Sequence, residues 1–246
     1  MVPSIENGHD GAIAFEGVSV ERGGQRVIRF VTLHMNERRI GLVGDNGAGK
    51  STLLRLATGL LAPGSGRVTV GGKDVVKHRK SLPAEVGIVF QNPDHQILFP
   101  TVSEELMFGL QERGLDKRSA QERVRDLLER QGCLHLESRA VSELSEGQKQ
   151  LVCILAIIAG EPRNLLLDEP FASLDLPTCL RLSSWIATLP QRIVMASHNL
   201  DLFSRFDRVI WLADGEVRQD GPPAEVVPAY RAHCRERSPE RGGVLA

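Results

Sequence analysis

The chain has 246 residues, 41% of them hydrophobic and 25% charged, with a formal net charge of −1. That length suits one α/β domain with an inserted subdomain, and the charge balance excludes the broad basic field of a general nucleic-acid binder. Aromatic residues make up only 4% of the chain, too few for base-stacking platforms, and no run approaches the roughly 18 apolar residues that span a bilayer.

Residues 1–11 read as a flexible polar leader without the apolar region of a signal peptide. Residues 12–20 and 25–35 are strand-like, with Gly23-Gly24 as the turn between them. Ile40-Gly41-Leu42-Val43 is wholly apolar, as at the centre of a parallel sheet. It leads into Gly44-Asp45-Asn46-Gly47-Ala48-Gly49-Lys50-Ser51-Thr52, and a helical pattern continues to Leu61, where Ala62-Pro63-Gly64 breaks it. Strand, glycine-rich loop and helix form the context of a phosphate-binding loop. Glycines let successive N–H groups turn inward as an anion nest, the helix adds the positive end of its dipole, Lys50 brings an ammonium and Ser51 a hydroxyl for Mg²⁺.

Short strands are expected at 66–70 and 86–90 around a polar segment. From Val102 to about Leu144 nearly everything reads as helix, an insertion between strands of the core, with breaks at Gly114 and Gly132. Residues 147–159 are an apolar helix and 163–167 a buried strand ending in Asp168-Glu169. Residues 177–189 read as a helix and 192–196 as a strand closing at Ser197-His198. A hairpin around Asp214-Gly215 comes next, then a helix over 222–234 and a polar tail over 235–246. The four cysteines, Cys133, Cys153, Cys179 and Cys234, form no C-x-x-C pair and are expected as buried filler.

Ligands of doubly wound sheets sit at the carboxyl edge of the strands. Asp168 is placed there to hold Mg²⁺, Glu169 to polarise an attacking water, and His198, one strand over, to hydrogen-bond a phosphate or that water.

With Leu144-Ser145-Glu146-Gly147-Gln148 before the Asp-Glu strand, Gln91, and Ser173-Leu174-Asp175, every motif over about residues 12–234 resembles the ATP-binding cassette of ABC transporters. The resemblance implies an α/β P-loop NTPase fold: a mixed-sheet core, an antiparallel β subdomain, and a helical subdomain inserted at about 92–146. It implies an ATPase in which residues Gly44 to Thr52 cradle phosphates and Ser51, Gln91 and Asp168 reach Mg²⁺. Glu169 is then the catalytic base and His198 the switch histidine. Ser145, Gly147 and Gln148 contact the γ-phosphate held by a second cassette, and Asp175 lies in the loop crossing between subunits. Two ATP molecules are then sandwiched in a head-to-tail pair, either a homodimer or two paralogous chains.

Two departures from the family pattern stand out. Glu146 replaces a usual glycine, and a carboxylate beside a triphosphate is unfavourable unless it points away or meets a cation. Arg22 stands where an aromatic residue often stacks on adenine, and either a stacked or a solvated Arg fits the sequence.

The run Gln91-Asn92-Pro93-Asp94-His95-Gln96 resembles the ATPase subunits of energy-coupling factor transporters, with His95 a surface residue. These work with a transmembrane coupling protein and a separate substrate-binding membrane protein, at the cytoplasmic face of the membrane and without nucleic acid. The stretch through Phe99-Pro100-Thr101-Val102 looks most like that of a biotin transporter; cobalt and nickel versions share much of it. A groove near Gln91 and the helices after Val102 is expected to hold a helix of the coupling protein. A soluble repair or ribosomal ATPase, an exporter cassette and a non-hydrolysing regulator are the competing readings. The near-neutral charge, the Gln91–Gln96 run, and the presence of both Glu169 and His198 count against them in turn.

Overall fold

The computed structural model describes residues 11–237. Residues 1–10 of the expected leader (1–11) and 238–246 of the expected tail (235–246) lie outside the described residues. Two sheets share the chain. The six-stranded sheet has the order β10-β9-β3-β8-β7-β6, built from β3 (Arg39–Val43), β6 (Val86–Val89), β7 (Asn164–Asp168), β8 (Arg192–Ala196), β9 (Arg208–Ala213) and β10 (Glu216–Gly221). Its first five strands by sequence are parallel, and β10 returns antiparallel from β9. The four-stranded sheet, order β2-β1-β4-β5, is antiparallel throughout, from β1 (Ile13–Arg22), β2 (Gln25–Met35), β4 (Ser65–Val70) and β5 (Lys73–Asp74).

The apolar runs of β3, β7 and β8 are explained by burial on both faces. Successive side chains alternate between two cores. Leu166, Val194, Ala196, Ile210 and Leu212 face the antiparallel sheet and α1 (Lys50–Ala57). Leu165, Leu167, Ile193, Met195 and Trp211 face the helical side. On that side α4 (Glu146–Ala159) is the central post, with Leu151 to Leu155 all buried. Against it pack α2 (Val102–Gln111), through Val102, Leu106 and Leu110, and α3 (Lys117–Arg130), through Ala120, Val124 and Leu128. Each set repeats at four-residue spacing, the helical apolar stripe legible in the sequence. Fully burying one such Leu or Val contributes about 1.5–3 kcal/mol. The layer is completed by α5 (Leu176–Thr188) and α6 (Pro223–Arg237).

The differences from expectation are local. Residues 131–144 hold only two short 3-10 turns, Leu134–Leu136 and Val141–Glu143, because Gly132 ends α3 and residues 133–144 carry no helical stripe. The first helix stops at Ala57, before Leu61. The terminal helix runs on through Arg237, past the expected end at Cys234. Both expected hairpin turns have positive φ at their central pair: 57° and 76° at Gly23-Gly24, and 51° and 80° at Asp214-Gly215. Cys133 and Cys153 are buried, whereas Cys179 is half-buried and Cys234 exposed, so the filler role suits two of the four. Among the described residues, no helix is long and apolar enough to cross a membrane.

Candidate functional site

The loop after β3 turns because its glycines have no Cβ. At Gly44, φ is +147° and a Cβ would lie 2.2 Å from the Leu212 carbonyl oxygen of β9. At Gly49, the left-handed cap of α1, a Cβ would lie 2.7 Å from Ile28 of β2. The loop is thus wedged between both sheets, and any side chain at either position forces it outward. Lys50 is buried, its ammonium donating to the carbonyls of Gly44 (2.6 Å) and Asp45 (3.2 Å). Burial pulls its pKa down, and the nearby carboxylates of Glu169, Asp168 and Asp45 oppose that.

Around this loop lies a cleft of about 150 Å³ lined by Asp45 to Thr52, Gln91, Asp168, Glu169, His198 and Val27. Ser51 Oγ donates to Asp168 Oδ1 at 3.0 Å. Burial raises the Asp168 pKa, opposed by the Ser51 hydrogen bond and by Arg55 and Lys50. Glu169 has φ +48°, a left-handed conformation uncommon for a side-chain-bearing residue, so the fold holds it under strain. Its backbone N–H donates to the Ala196 carbonyl of β8 (3.0 Å), and its Oε2 accepts from the His198 N–H (3.2 Å). Among the described residues its Oε1 is buried without a hydrogen bond, 3.5 Å from His198 Nε2. That same Nε2 is 3.1 Å from Asn46 Oδ1. A proton on Nε2 therefore faces two acceptors, and His198 bridges the loop to the carboxylate.

Ser145, Gly147, Gln148 and Asp175 are not in this cleft. They line a second one, with Glu146, Ser173 and Leu174, that shares no residue with the first. Ser145 caps α4 in a reciprocal box: its Oγ accepts from Gln148 N–H (3.3 Å), while its own N–H donates to Gln148 Oε1 (3.0 Å). The hydroxyl proton stays available to an external acceptor. Among the described residues Glu146 pairs with no cation; it turns to the loop after β7 and accepts from Ser173 Oγ at 3.1 Å. Asp175 caps α5, and its hydrogen bonds from Thr178 hold its carboxyl below the usual range.

Sequence reasoning missed the residues that join these parts. Gln150 is buried and donates to the Phe90 carbonyl (3.1 Å), while Gln96 accepts from the Phe90 N–H (3.0 Å). Lys149 pairs with Asp94 at 2.7 Å. The segment around Gln91 is thereby fastened to α4 one turn past Ser145. Three consecutive polar residues, Gln148-Lys149-Gln150, in an otherwise apolar helix were the available signal. Arg22, for which the sequence allowed a stacked or a solvated side chain, lies exposed at the end of β1, and the residue of that hairpin lining the cleft is Val27. For the groove expected near Gln91 and the helices after Val102, the structure offers a candidate that includes Phe108 of α2 and not Gln91 itself. A largely apolar groove of about 680 Å³ runs between core and helical layer, lined by Leu60, Pro83, Ile88, Phe108 and Ile157. Leu60 and Phe108 are exposed at 51% and 39%, high for large apolar side chains.

Comparison with known proteins gives one consistent result. A family profile described as ABC transporter matches residues 30–172. The chain is 48% identical over 221 residues to the biotin transport ATP-binding protein BioM of Rhodobacter capsulatus, spanning 90% of this chain and 94% of that one. It is 38% identical over 219 residues to BioM of Rhizobium etli, spanning 89% and 97%. Among solved structures it resembles cbiO1 of Clostridium perfringens, part of the ABC transporter complex cbiONQ, with TM-score 0.76, 30% identity, and 92% and 94% of the two chains covered.

Proposed function

The chain belongs to the ABC transporter family as an ATP-hydrolysing cassette, and we propose that it energises an energy-coupling factor importer whose cargo is biotin. The observation that carries the mechanism is the division of the motifs between two clefts with no residue in common. Each cleft is half a site. The loop cleft binds ATP: the amides of Gly44 to Thr52 and the Lys50 ammonium, turned from its carbonyl partners, hold the phosphates. Glu169 takes a proton from the attacking water, and His198 orients that water and senses the γ-phosphate. Ser145 and Gly147 of a second copy, or of a paralogous cassette, close over the phosphates, and Gln148 holds the Ser145 hydroxyl in place.

The donor set fits Mg²⁺. Ser51 Oγ and Asp168 Oδ1 are hard oxygens 3.0 Å apart, and a buried carboxylate calls for a cation. Ser51, Asp168 and Gln91 are the residues that would hold it, and when bound it neutralises charge on the β- and γ-phosphates. Asp168 also carries a stability prediction. Its pKa is raised in the fold, so the ionised form costs folding stability above the folded pKa, and that cost vanishes as pH falls below the unfolded pKa of about 3.9. Nucleotide-free Asp168→Asn is expected to melt higher than wild type at pH 7–8, the gap closing towards pH 4, while its Mg²⁺-dependent hydrolysis is lost. Thermal melts across pH measure this, and a lower melting temperature at pH 8 contradicts it.

The apolar groove takes a helix from the transmembrane coupling protein, which holds the cassette peripherally on the cytoplasmic face of the membrane. Gln91, in the ATP cleft and flanked by Phe90 and Asp94, which are anchored to α4, carries nucleotide state towards that layer. Support for the cargo is the identity to proteins named for biotin transport. Phe108→Glu is expected to abolish co-purification with the coupling protein and a substrate-binding membrane protein, with isolated ATPase activity kept within about two-fold, since an exposed position tolerates the charge. Uptake of labelled biotin and cobalt by the assembled transporter tests the cargo. Cobalt uptake without biotin uptake transfers the assignment to the metal importers of the same type.

A further inference from the structure

Asp45 poses an electrostatic problem. It is the first side-chain-bearing residue of a loop built to hold an anion, and its carboxylate repels a triphosphate bound there. Both of its oxygens are engaged by a single distant element. Oδ1 accepts from the Tyr230 hydroxyl at 3.3 Å, and Oδ2 is paired with the Arg237 guanidinium. Both partners lie on α6, where Tyr230 is buried with its ring edge-on to Trp211 of β9 at 5.4 Å. A third contact reaches the segment that follows His198, a residue of the opposite wall of the cleft. Arg231 of the same helix pairs at 2.6 Å with Asp201, in the 3-10 turn Leu200–Arg205 just after His198.

We propose that α6 is a brace of the nucleotide site. Arg237 neutralises Asp45, and with Tyr230 holds its carboxylate out of the anion nest. Arg231 ties the same helix to the segment carrying His198. Tyr230, Arg231 and Arg237 are positioning residues that touch the loops and not the nucleotide. The inference rests on the reading of Gly44 to Thr52 as a triphosphate site. An incidental surface pair is the alternative, since both side chains are partly exposed, at 62% for Arg237 and 44% for Asp45. Such pairs add little to stability, so the two readings part on anion affinity.

The test is a double-mutant cycle on the full chain, with ATP affinity measured by equilibrium binding and turnover by phosphate release. Arg237→Gln is expected to weaken ATP about three- to ten-fold at low salt, less at 0.5 M NaCl, with kcat at saturating ATP within about two-fold and Arg237→Lys recovering part of the loss. Combining Arg237→Gln with Asp45→Asn is expected to restore affinity to that of Asp45→Asn alone. The inference is overturned if Arg237→Gln binds ATP like wild type, or if its loss persists undiminished beside Asp45→Asn. Failure of the underlying reading looks different: wild type would bind ATP no better than Lys50→Ala. A thermal melt of Arg237→Gln within about 2 °C of wild type separates bracing from unfolding, as expected for an exposed pair.

Discussion

Glu169→Gln is expected to hydrolyse ATP at least about 100-fold more slowly than wild type, because a positioned general base contributes about 10²- to 10⁴-fold. The substitution isolates that role. Gln has the same length, its amide oxygen can accept the His198 N–H as Oε2 does, and the backbone bond to Ala196 is untouched. The strained φ of +48° is a property of the turn after β7 and stays. The proton acceptor is lost, with its unpartnered buried oxygen facing His198 Nε2. ATP affinity is expected to hold, since on the proposed reading the phosphates are bound by the loop amides and Lys50 and not by Glu169. Phosphate release and equilibrium binding, measured on the same preparation, separate the two. Turnover near the wild-type rate removes Glu169 from the base role.

Gly147→Asp is the complementary loss, on the other cleft. A Cβ at Gly147 meets the Ser173 carbonyl oxygen at 3.1 Å and Leu174 at 3.4 Å, so the crossing loop must shift. The added carboxylate then faces the position assigned to the partner's triphosphate. Helix α4 itself does not suffer, because an acidic residue in the first turn favours the helix dipole. Hydrolysis is expected to fall by about 100-fold or more, the equivalent of losing roughly 2.7 kcal/mol of transition-state stabilisation. ATP binding to the separated chain, assigned by the proposal to the loop cleft alone, is expected to stay within about two-fold of wild type. Equal loss of binding and hydrolysis would place Gly147 in the chain's own nucleotide pocket, contrary to the two-cleft arrangement.

Local chemistry made much of this fold legible. The strand–loop–helix at Ile40 to Leu61, the two positive-φ hairpins and the four-residue stripes of α2 and α3 each arise from a short stretch of sequence. So did the residues of the loop cleft, because parallel strands bring Asp168, Glu169 and His198 to one sheet edge. Three features lay beyond that reach. Spacing from the loop left Arg22 either stacked or solvated, and which residue of the β1–β2 hairpin lines the cleft depends on a pairing interrupted by register shifts after Phe15, Val18 and Val20; in the fold that residue is Val27. The contacts of Asp45 with Tyr230 and Arg237 join residues 185 and 192 positions apart, and no periodicity encodes such a pairing. Glu146 was legible as a departure but not in its resolution, since Ser173 is brought to it only by the loop after β7 folding against α4. Where a side chain answers to its own helix or strand, the sequence predicts it. Where it answers to a distant element, only the packed molecule does.

The central claim is that Gly44 to Thr52 form half a site, completed by Ser145 and Gly147 of another cassette. Sedimentation equilibrium of Glu169→Gln with and without saturating ATP and Mg²⁺ tests it most directly. The variant should be monomeric without nucleotide and close to twice that mass with it, and Glu169→Gln combined with Gly147→Asp should stay monomeric in both. A Glu169→Gln chain that binds ATP and remains a strict monomer would contradict the account.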